Sequence, residues 1–192
     1  AAEILLLDVR REFETPSTKI VVSGALGPRG DGYVAASRMK PRQAYTYHAE
    51  QIETFSGTEA DIVTAFTINY VDEAIGVVWA AQENAMPVAI SFTLETDGRL
   101  PSGQPLREAI EQTDEATGDY PAYYMINCAH PTHFAHILQE RGNWLARIRG
   151  IRANASMLSH AELDASSDLD AGDPVSLAQQ YDGLSEVLPR YW

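Results

Sequence analysis

A regular alternation of short β-type segments with longer helical patterns constrains the fold more than any other feature of this sequence. Helical patterns begin the chain and separate segments that are rich in β-branched and aromatic residues. The predicted strands are 19–27, 60–66, 86–94, 122–129 and 147–155, and the predicted helices are 1–14, 41–57, 70–84, 103–115 and 132–141. This order predicts right-handed crossovers, a parallel sheet, and chemistry in the loops that follow the strands.

Two α/β architectures fit this alternation. Five parallel strands form either an open doubly wound sheet or part of a (β/α)8 barrel of the TIM type, and periodicity alone does not separate them. No internal repeat and no linker divides residues 1–192, so we predict a single domain. Because residue 1 is Ala rather than Met, we expect the sequence to be a piece of a longer chain.

Charge and cysteine content exclude several classes of protein. The formal net charge of −13 and pI near 4.7 argue against a nucleic-acid partner, because such binding depends on Lys and Arg that neutralise phosphates. No apolar run approaches the length of a membrane span, so we predict no membrane partner. A single cysteine allows no internal disulfide, which favours a cytoplasmic location.

The glycine-rich segment "GPRGDGY" (27–33) follows the first predicted strand and therefore raises the question of phosphate binding. It lacks the Lys-Ser/Thr pair of a P-loop and the spacing of a dinucleotide-binding loop, and Asp31 would repel an anion. We predict a structural turn. Later in the chain, Ser159 and Glu162 have the spacing of a capping box, which predicts the start of a helix.

The segment "YYMINCAHPTHFAH" (123–136) contains the single cysteine, Cys128, at the end of a predicted strand. Three roles are open for this thiol. It could be a nucleophile with His130 or His133 as its base, a zinc ligand, or a small buried apolar residue. Spacing alone does not decide among them, since Cys-x-His-x-x-His is not a common zinc pattern.

Five segments together resemble the homocysteine S-methyltransferase family. They occur in the family's order along nearly the whole chain, which makes the resemblance specific although each segment is weak or moderate alone. The segments are "SGALGPRGDGY" (23–33), "DEAIGVVWAAQ" (72–82), "PVAISFTLETDGRLPSGQPLREAI" (87–110), "YMINCAHPTHF" (124–134) and "IRGIRANASMLSHAELD" (148–164).

The resemblance implies a (β/α)8 barrel in which these five strands correspond to strands three to seven. It also implies transfer of a methyl group from a donor such as S-methylmethionine or S-adenosylmethionine to the thiol of homocysteine, which gives methionine. The family's zinc makes that thiol a thiolate and is held by three cysteines. The first lies in an Asn-Cys motif that Asn127 and Cys128 match, so Cys128 is expected to be a metal ligand.

The sequence departs from the family pattern at both ends and at one internal site. The family's first two strands have no counterpart, and its other two zinc cysteines, in a Gly-Gly-Cys-Cys motif, would lie beyond "VLPRYW" (187–192). Many members recognise the substrate amino group with a Glu before a Thr, where this chain has Phe66 and Thr67. We therefore expect Thr64, Thr67 and Asn127 to bind substrate, with Asn69 as a further polar candidate.

Two functions follow from the resemblance. The first is an enzyme that takes homocysteine and a methyl donor as its small-molecule partners and needs Zn²⁺ with two cysteines additional to Cys128. The second is a non-catalytic fragment or truncated relative that acts as an oligomerising or binding module. An unclosed barrel has exposed strand edges, so a homo-oligomer is expected in the second case.

Overall fold

A computed structural model of the chain describes residues 2–140 and 142–188, which build one five-stranded parallel sheet. The strand order is β1-β2-β3-β4-β5, so each crossover returns to the adjacent position. A doubly wound sheet instead reverses direction at a switch point, and the sequential order is that of a barrel. The strands are β1 Ser23–Leu26, β2 Ile62–Ile68, β3 Val88–Thr93, β4 Tyr123–Asn127 and β5 Ile148–Arg152.

Helices precede and connect the strands, and their ends follow ordinary capping chemistry. Pro41 occupies the first turn of α2, where its missing N–H is not needed, and Gly118 ends α4 with a left-handed φ of 63°. The helices are α1 Ala2–Phe13, α2 Pro41–Ser56, α3 Val71–Glu83, α4 Leu106–Thr117, α5 Pro131–Phe134, α6 His160–Ala165 and α7 Pro174–Val187, with 3-10 turns at Ile137–Gln139 and Asn143–Arg147.

The two faces of the sheet differ in chemistry. The outer face packs on α2, α3 and α4 and places apolar side chains in the core, among them Val63, Ile90, Phe92, Tyr124 and Ile126. The opposite face, called the inner face below, carries the alternate residues of the same strands and is polar; it includes Ser23, Thr64, Ser91, Thr93 and Asn127. A barrel of this type surrounds its inner face with further strands.

One glycine sets the distance between α2 and α3. A Cβ built on Gly76 would lie 2.4 Å from the Ala44 Cβ and 2.6 Å from the Pro41 carbonyl oxygen. Because no side chain fits at that separation, α3 packs directly on the backbone of α2. This contact buries most of α3 and fixes the loop that enters it from β2.

Most predicted elements are confirmed, although strands β1 and β5 are shorter than the predicted 19–27 and 147–155. The predicted helix 132–141 is wrong: the chain instead forms α5 and a separate 3-10 turn, because burial of Phe134 and Leu138 and a hydrogen bond from His133 to the Met157 carbonyl override helical propensity. Residues 1, 141 and 189–192 of the predicted segments lie outside the described residues.

Within residues 2–140 and 142–188, no helix combines the length and the apolar character needed to cross a bilayer. The described strands share one sheet and one hydrophobic core. A single domain over residues 1–192 stays a prediction.

Candidate active site

The side chain of Asn127 joins the carboxyl ends of three neighbouring strands. Its Oδ1 accepts hydrogen bonds from the Thr67 backbone N–H at 3.0 Å and from the Ser91 hydroxyl at 2.5 Å. Its Nδ2 donates to Thr67 Oγ1 at 2.8 Å and to Cys128 Sγ at 3.0 Å. Asn127 is buried and all four of its hydrogen bonds are made within the protein, so it holds β2, β3 and β4 in register at this edge.

The backbone is strained where Asn127 holds it. Thr67 has a φ of 59° and Cys128 a φ of 55°, both in the left-handed region that residues with a Cβ rarely adopt. Thr67 lies within an irregularity in the pairing of β2 with β3, between Ala65 and Ile68. Strain of this kind costs about 1–3 kcal/mol per residue and concentrates at functional sites, which favours a function for this edge.

Cys128 is partly exposed rather than buried among the described residues. Its sulfur accepts a hydrogen bond from Asn127 and lies 4.0 Å from Thr67 Oγ1. Burial, and then hydrogen bonding with the nearby Cys128 thiol, raises the pKa of Tyr33 to about 12. Three polar groups from three separate segments therefore surround the sulfur.

His160, which the sequence spacing did not identify as a site residue, hydrogen-bonds with the backbone of Cys128. His160, the first residue of α6, is buried, and its Nε2 donates to the Cys128 carbonyl oxygen at 2.6 Å. Its Nδ1 lies 3.4 Å from a Glu95 carboxylate oxygen, and its ring packs on Tyr33 with centroids 4.1 Å apart. The predicted capping box of Ser159 with Glu162 is confirmed and fixes the start of this helix.

The loop that carries Tyr33 is fixed at several points. The predicted turn in "GPRGDGY" is confirmed, since Asp31 Oδ1 accepts the backbone N–H groups of Tyr33 and Val34. The Asp31 carbonyl accepts a hydrogen bond from Asn69 Nδ2 at 2.9 Å. A Cβ on Gly32 would lie 2.8 Å from Thr67 Cγ2, so glycine allows the loop to reach the strained residue.

A buried acid anchors the beginning of the same loop. Glu73 on α3 is fully buried, and its Oε1 accepts the Arg29 backbone N–H at 2.7 Å. His48 on α2, also buried, lies 3.0 Å from the same oxygen through its Nε2. The loop is thus attached to both helices, which positions Tyr33 over Cys128.

The remaining predicted residues lie apart from this cluster. Thr64 is buried on the inner face, three residues before Thr67, and its hydroxyl lies 2.8 Å from the Ser23 hydroxyl. His130 Nδ1 hydrogen-bonds with Thr132, and His133 Nε2 donates to the Met157 carbonyl. Burial lowers the pKa of His130, with a further decrease from the neighbouring His133. The hydrogen bonds of the two rings are thus with Thr132 and with the Met157 carbonyl rather than with Cys128.

An arginine on the inner face was also not anticipated. Arg152 ends β5, pairs in register with Asn127, and accepts the Cys128 N–H with its carbonyl at 3.1 Å. Its guanidinium lies over the Phe66 ring, 5.7 Å from the centroid. Phe66 and Arg152 are 86 positions apart, so their contact carries no local sequence signal.

The described residues do not form a metal site by themselves. Among residues 2–140 and 142–188, no group of three His, Cys, Asp or Glu side chains could hold an ion. A catalytic zinc needs three protein ligands, and Cys128 is the one thiol in the sequence. A zinc ion bound by Cys128 would thus need further ligands from outside this group.

Comparison with known proteins defines the family. The family model described as homocysteine S-methyltransferase matches residues 2–186. No curated protein matches the sequence significantly.

Among solved structures, the homocysteine methyltransferase MmuM from Escherichia coli shares the fold. Its metallated form has 18% identity and a TM-score of 0.66 over 81% of this chain and 57% of that chain. Its oxidized form has 20% identity and a TM-score of 0.66 over 85% of this chain and 58% of that chain. The chain thus spans less than two thirds of the length of MmuM, and the predicted TIM-barrel type is confirmed. With the family model covering nearly all of its residues, this chain belongs to the homocysteine S-methyltransferase family.

Proposed function

We propose that the protein containing this chain transfers a methyl group from a donor such as S-methylmethionine or S-adenosylmethionine to the thiol of homocysteine, giving methionine. The observation that carries the proposal is the Cys128 sulfur, held by Asn127 at the carboxyl edge of the sheet. Active sites of barrels of this type lie at that edge. Family membership supplies the reaction class.

The reaction needs a thiolate and a positioned donor. The homocysteine thiol loses its proton, its sulfur forms a bond to the methyl carbon, and the bond from that carbon to the donor sulfur breaks, leaving the electron pair on the donor. Because thiolate is the nucleophilic form, a site that stabilises negative charge on sulfur favours the reaction. Asn127 Nδ2 donates a hydrogen bond to the Cys128 sulfur and so favours negative charge on that sulfur rather than on the substrate.

We assign Thr67 and Thr64 as substrate contacts and Asn127 as the residue that positions Thr67. Thr67 Oγ1 lies 4.0 Å from the Cys128 sulfur, and Thr64 lies on the same inner face. The Asn127 amide has its four hydrogen bonds within the protein. It therefore contributes to substrate binding by fixing the strained backbone of Thr67.

We further propose that Cys128 is one ligand of a Zn²⁺ ion whose other two protein ligands come from elsewhere in the intact protein. The neighbour MmuM exists in a metallated form, which supports a metal in the family. Zinc bound in this way would supply Lewis-acid activation of the substrate thiol.

The test is methionine formation by the purified full-length protein from homocysteine and each donor, followed by mass spectrometry with an isotopically labelled methyl group. Metal content is measured in parallel on the wild type and on Cys128→Ser. We expect labelled methionine and bound zinc in the wild type and loss of both in Cys128→Ser. A matched control is Ser23→Ala, an inner-face substitution distant from the thiol, which should keep the zinc. Zinc-free activity that depends on Cys128 would contradict the metal assignment.

A second candidate is the non-catalytic, oligomerising module. The observation in its favour is the sheet itself, because β1 and β5 each pair on one side only among the described strands. Exposed edges of this kind pair with other chains. Light scattering of the full-length protein distinguishes the enzyme from the oligomerising module. An inactive oligomer that dissociates in the variant Ala25→Pro, which removes a backbone donor from β1, would support the module.

For partners and location, we propose small molecules in the cytoplasm. The net charge of −13 disfavours polyanions, and the single cysteine of the sequence suits a reducing compartment. Fractionation of cells with an antibody to the protein tests the location.

A further inference from the structure

The Arg152 side chain crosses the inner face of the sheet. Arg152 ends β5 and is the register partner of Asn127 on β4, so the two side chains share a face. Its guanidinium nevertheless lies over the ring of Phe66, a residue of β2. Because β3 and β4 lie between these strands, the side chain extends across the face at the level of the thiol site.

This guanidinium has no acidic partner in residues 2–140 and 142–188. The arginine and lysine ion pairs of that part of the chain involve Arg10, Arg11, Lys19, Arg99, Arg107 and Arg147. Contact with the face of Phe66 leaves the N–H groups at the guanidinium edge available, since they lie in its plane. Arg152 is therefore held in place without being neutralised.

Arg152 is exposed among the described residues, so its guanidinium is accessible to a ligand. An accessible guanidinium that is held over an aromatic ring and lacks an acidic partner can bind an anion through charge-assisted hydrogen bonds. The position before Thr67 carries Phe66 rather than an acid, so β2 does not provide the counter-charge. At the carboxyl edge of the sheet, this chain therefore has Arg152 over Phe66. Phe66 stands where many family members carry the Glu that binds the substrate amino group.

We propose that Arg152, supported by Phe66, binds the carboxylate of the thiol substrate; this inference rests on the proposed function. In homocysteine, three carbon atoms separate the carboxyl carbon from the sulfur, so both ends of one molecule reach the same edge of the sheet. The Cys128 backbone N–H donates to the Arg152 carbonyl at 3.1 Å, so the backbone of Arg152 lies beside that of Cys128. A planar guanidinium binds a carboxylate through two parallel hydrogen bonds.

The inference makes Arg152 a determinant of specificity for thiols that carry a carboxylate. The experiment compares homocysteine with 3-aminopropane-1-thiol, which keeps the thiol and the amine but lacks the carboxylate. In the full-length protein, Arg152→Gln should raise the KM for homocysteine about 10- to 100-fold, as expected for loss of a charged hydrogen-bonded pair. The KM for 3-aminopropane-1-thiol and the kcat for both thiols should stay within about 3-fold of the wild type.

The matched control is Arg149→Gln. Arg149 lies on the same strand, and its Nε donates to the Ala146 carbonyl rather than contacting Phe66. It should leave the preference between the two thiols unchanged. Arg152→Lys should recover part of the preference, because it restores the charge without the planar fork.

Calorimetric binding of both thiols separates failure of this inference from failure of the proposed function. If the wild type binds homocysteine without methylating it, the reaction is wrong, and a 10- to 100-fold weaker binding by Arg152→Gln still supports carboxylate recognition. An equal loss for both thiols, or a loss for neither, overturns the inference. So does a fall in Tm with an unchanged preference, since Arg152 would then pair with an acid of the protein itself. A wild type that binds neither thiol overturns both proposals.

Discussion

The two faces of the sheet have different tasks, although they are built from the same strands. On the outer face, Ile90 and Phe92 are fully buried against the helices and contribute by packing. On the inner face, the Ser91 hydroxyl donates a hydrogen bond to Asn127, and Thr93 is the register partner of Asn127. The outer face therefore stabilises the fold by packing, whereas the inner face carries the hydrogen bonds of the candidate site.

The largest effect is expected on the outer face. Phe92→Ala should lower the free energy of unfolding by about 3–5 kcal/mol, because it removes a fully buried ring that stacks 6.0 Å from Tyr124. Urea unfolding followed by circular dichroism measures the loss. Activity per folded molecule should remain, and a loss of kcat at full folding would show that the two faces are not separate in function.

Asn127→Asp should give the opposite result on the inner face. An acceptor oxygen then replaces the Nδ2 that donates to Cys128 and Thr67, so negative charge on the Cys128 sulfur is opposed rather than stabilised. We expect activity to fall about 10- to 100-fold, as for groups that orient a reactive ligand, with an unchanged circular dichroism spectrum. The control is Asn84→Asp, which changes the amide that donates to the Ala80 carbonyl on α3 and should keep full activity.

The contrast between the faces also explains what the sequence could predict. The strands themselves were predicted, because short segments rich in β-branched and aromatic residues indicate strands, whereas the buried side of each strand was not predicted. Sequential strand order did not follow, since it depends on pairing between residues far apart in the chain. The predicted helix 132–141 failed for the same reason: the His133 to Met157 bond is a tertiary contact.

The candidate site was predictable only in part. Asn127, Cys128 and Thr67 were identified through the family resemblance, and the structure brings these three together. Tyr33 and His160 were missed because their link to Cys128 is spatial: one lies in a loop read as a simple turn, and the other in a segment read as a helix cap. In the sequence, the available signal for His160 was its position directly after the capping Ser159.

Backbone strain gives a further test of whether the candidate site differs from the rest of the protein, because a residue with a left-handed backbone also occurs outside the site. Ala85 has a φ of 49° in the turn after α3. Ala85→Gly should raise the free energy of unfolding by about 1 kcal/mol, since glycine adopts this conformation without a steric penalty, and should leave activity unchanged. Chemical denaturation and the methyl-transfer assay measure the two properties.

Thr67→Gly relieves the same kind of strain within the site, where the φ is 59°. It also removes the hydroxyl that accepts from Asn127 and the methyl group that packs on Gly32. We expect stability to change by less than about 1 kcal/mol while activity falls, because relief of strain and loss of the hydrogen bond oppose each other. If Thr67→Gly keeps full activity, as we expect for Ala85→Gly, the strained backbone at Thr67 has no functional role.

The smallest effect is expected at Tyr33, which belongs to neither face but covers the thiol from its loop. Tyr33→Phe keeps the ring that packs on His160 and removes the hydroxyl that hydrogen-bonds with Cys128. Loss of this one bond should decrease the rate of Cys128 alkylation by iodoacetamide by about 2- to 10-fold at fixed pH, because the reactive thiolate form of Cys128 loses a hydrogen-bond donor that stabilises it. Peptide mass spectrometry follows Cys128 specifically.

Tyr47→Phe, on the exposed side of α2, is the control, and equal rates in the two variants would place the Tyr33 hydroxyl outside the site. A rate decrease confined to Tyr33→Phe would extend the functional region beyond the inner face to the loop after β1, since Cys128 reactivity would then depend on a residue that the sheet itself does not carry.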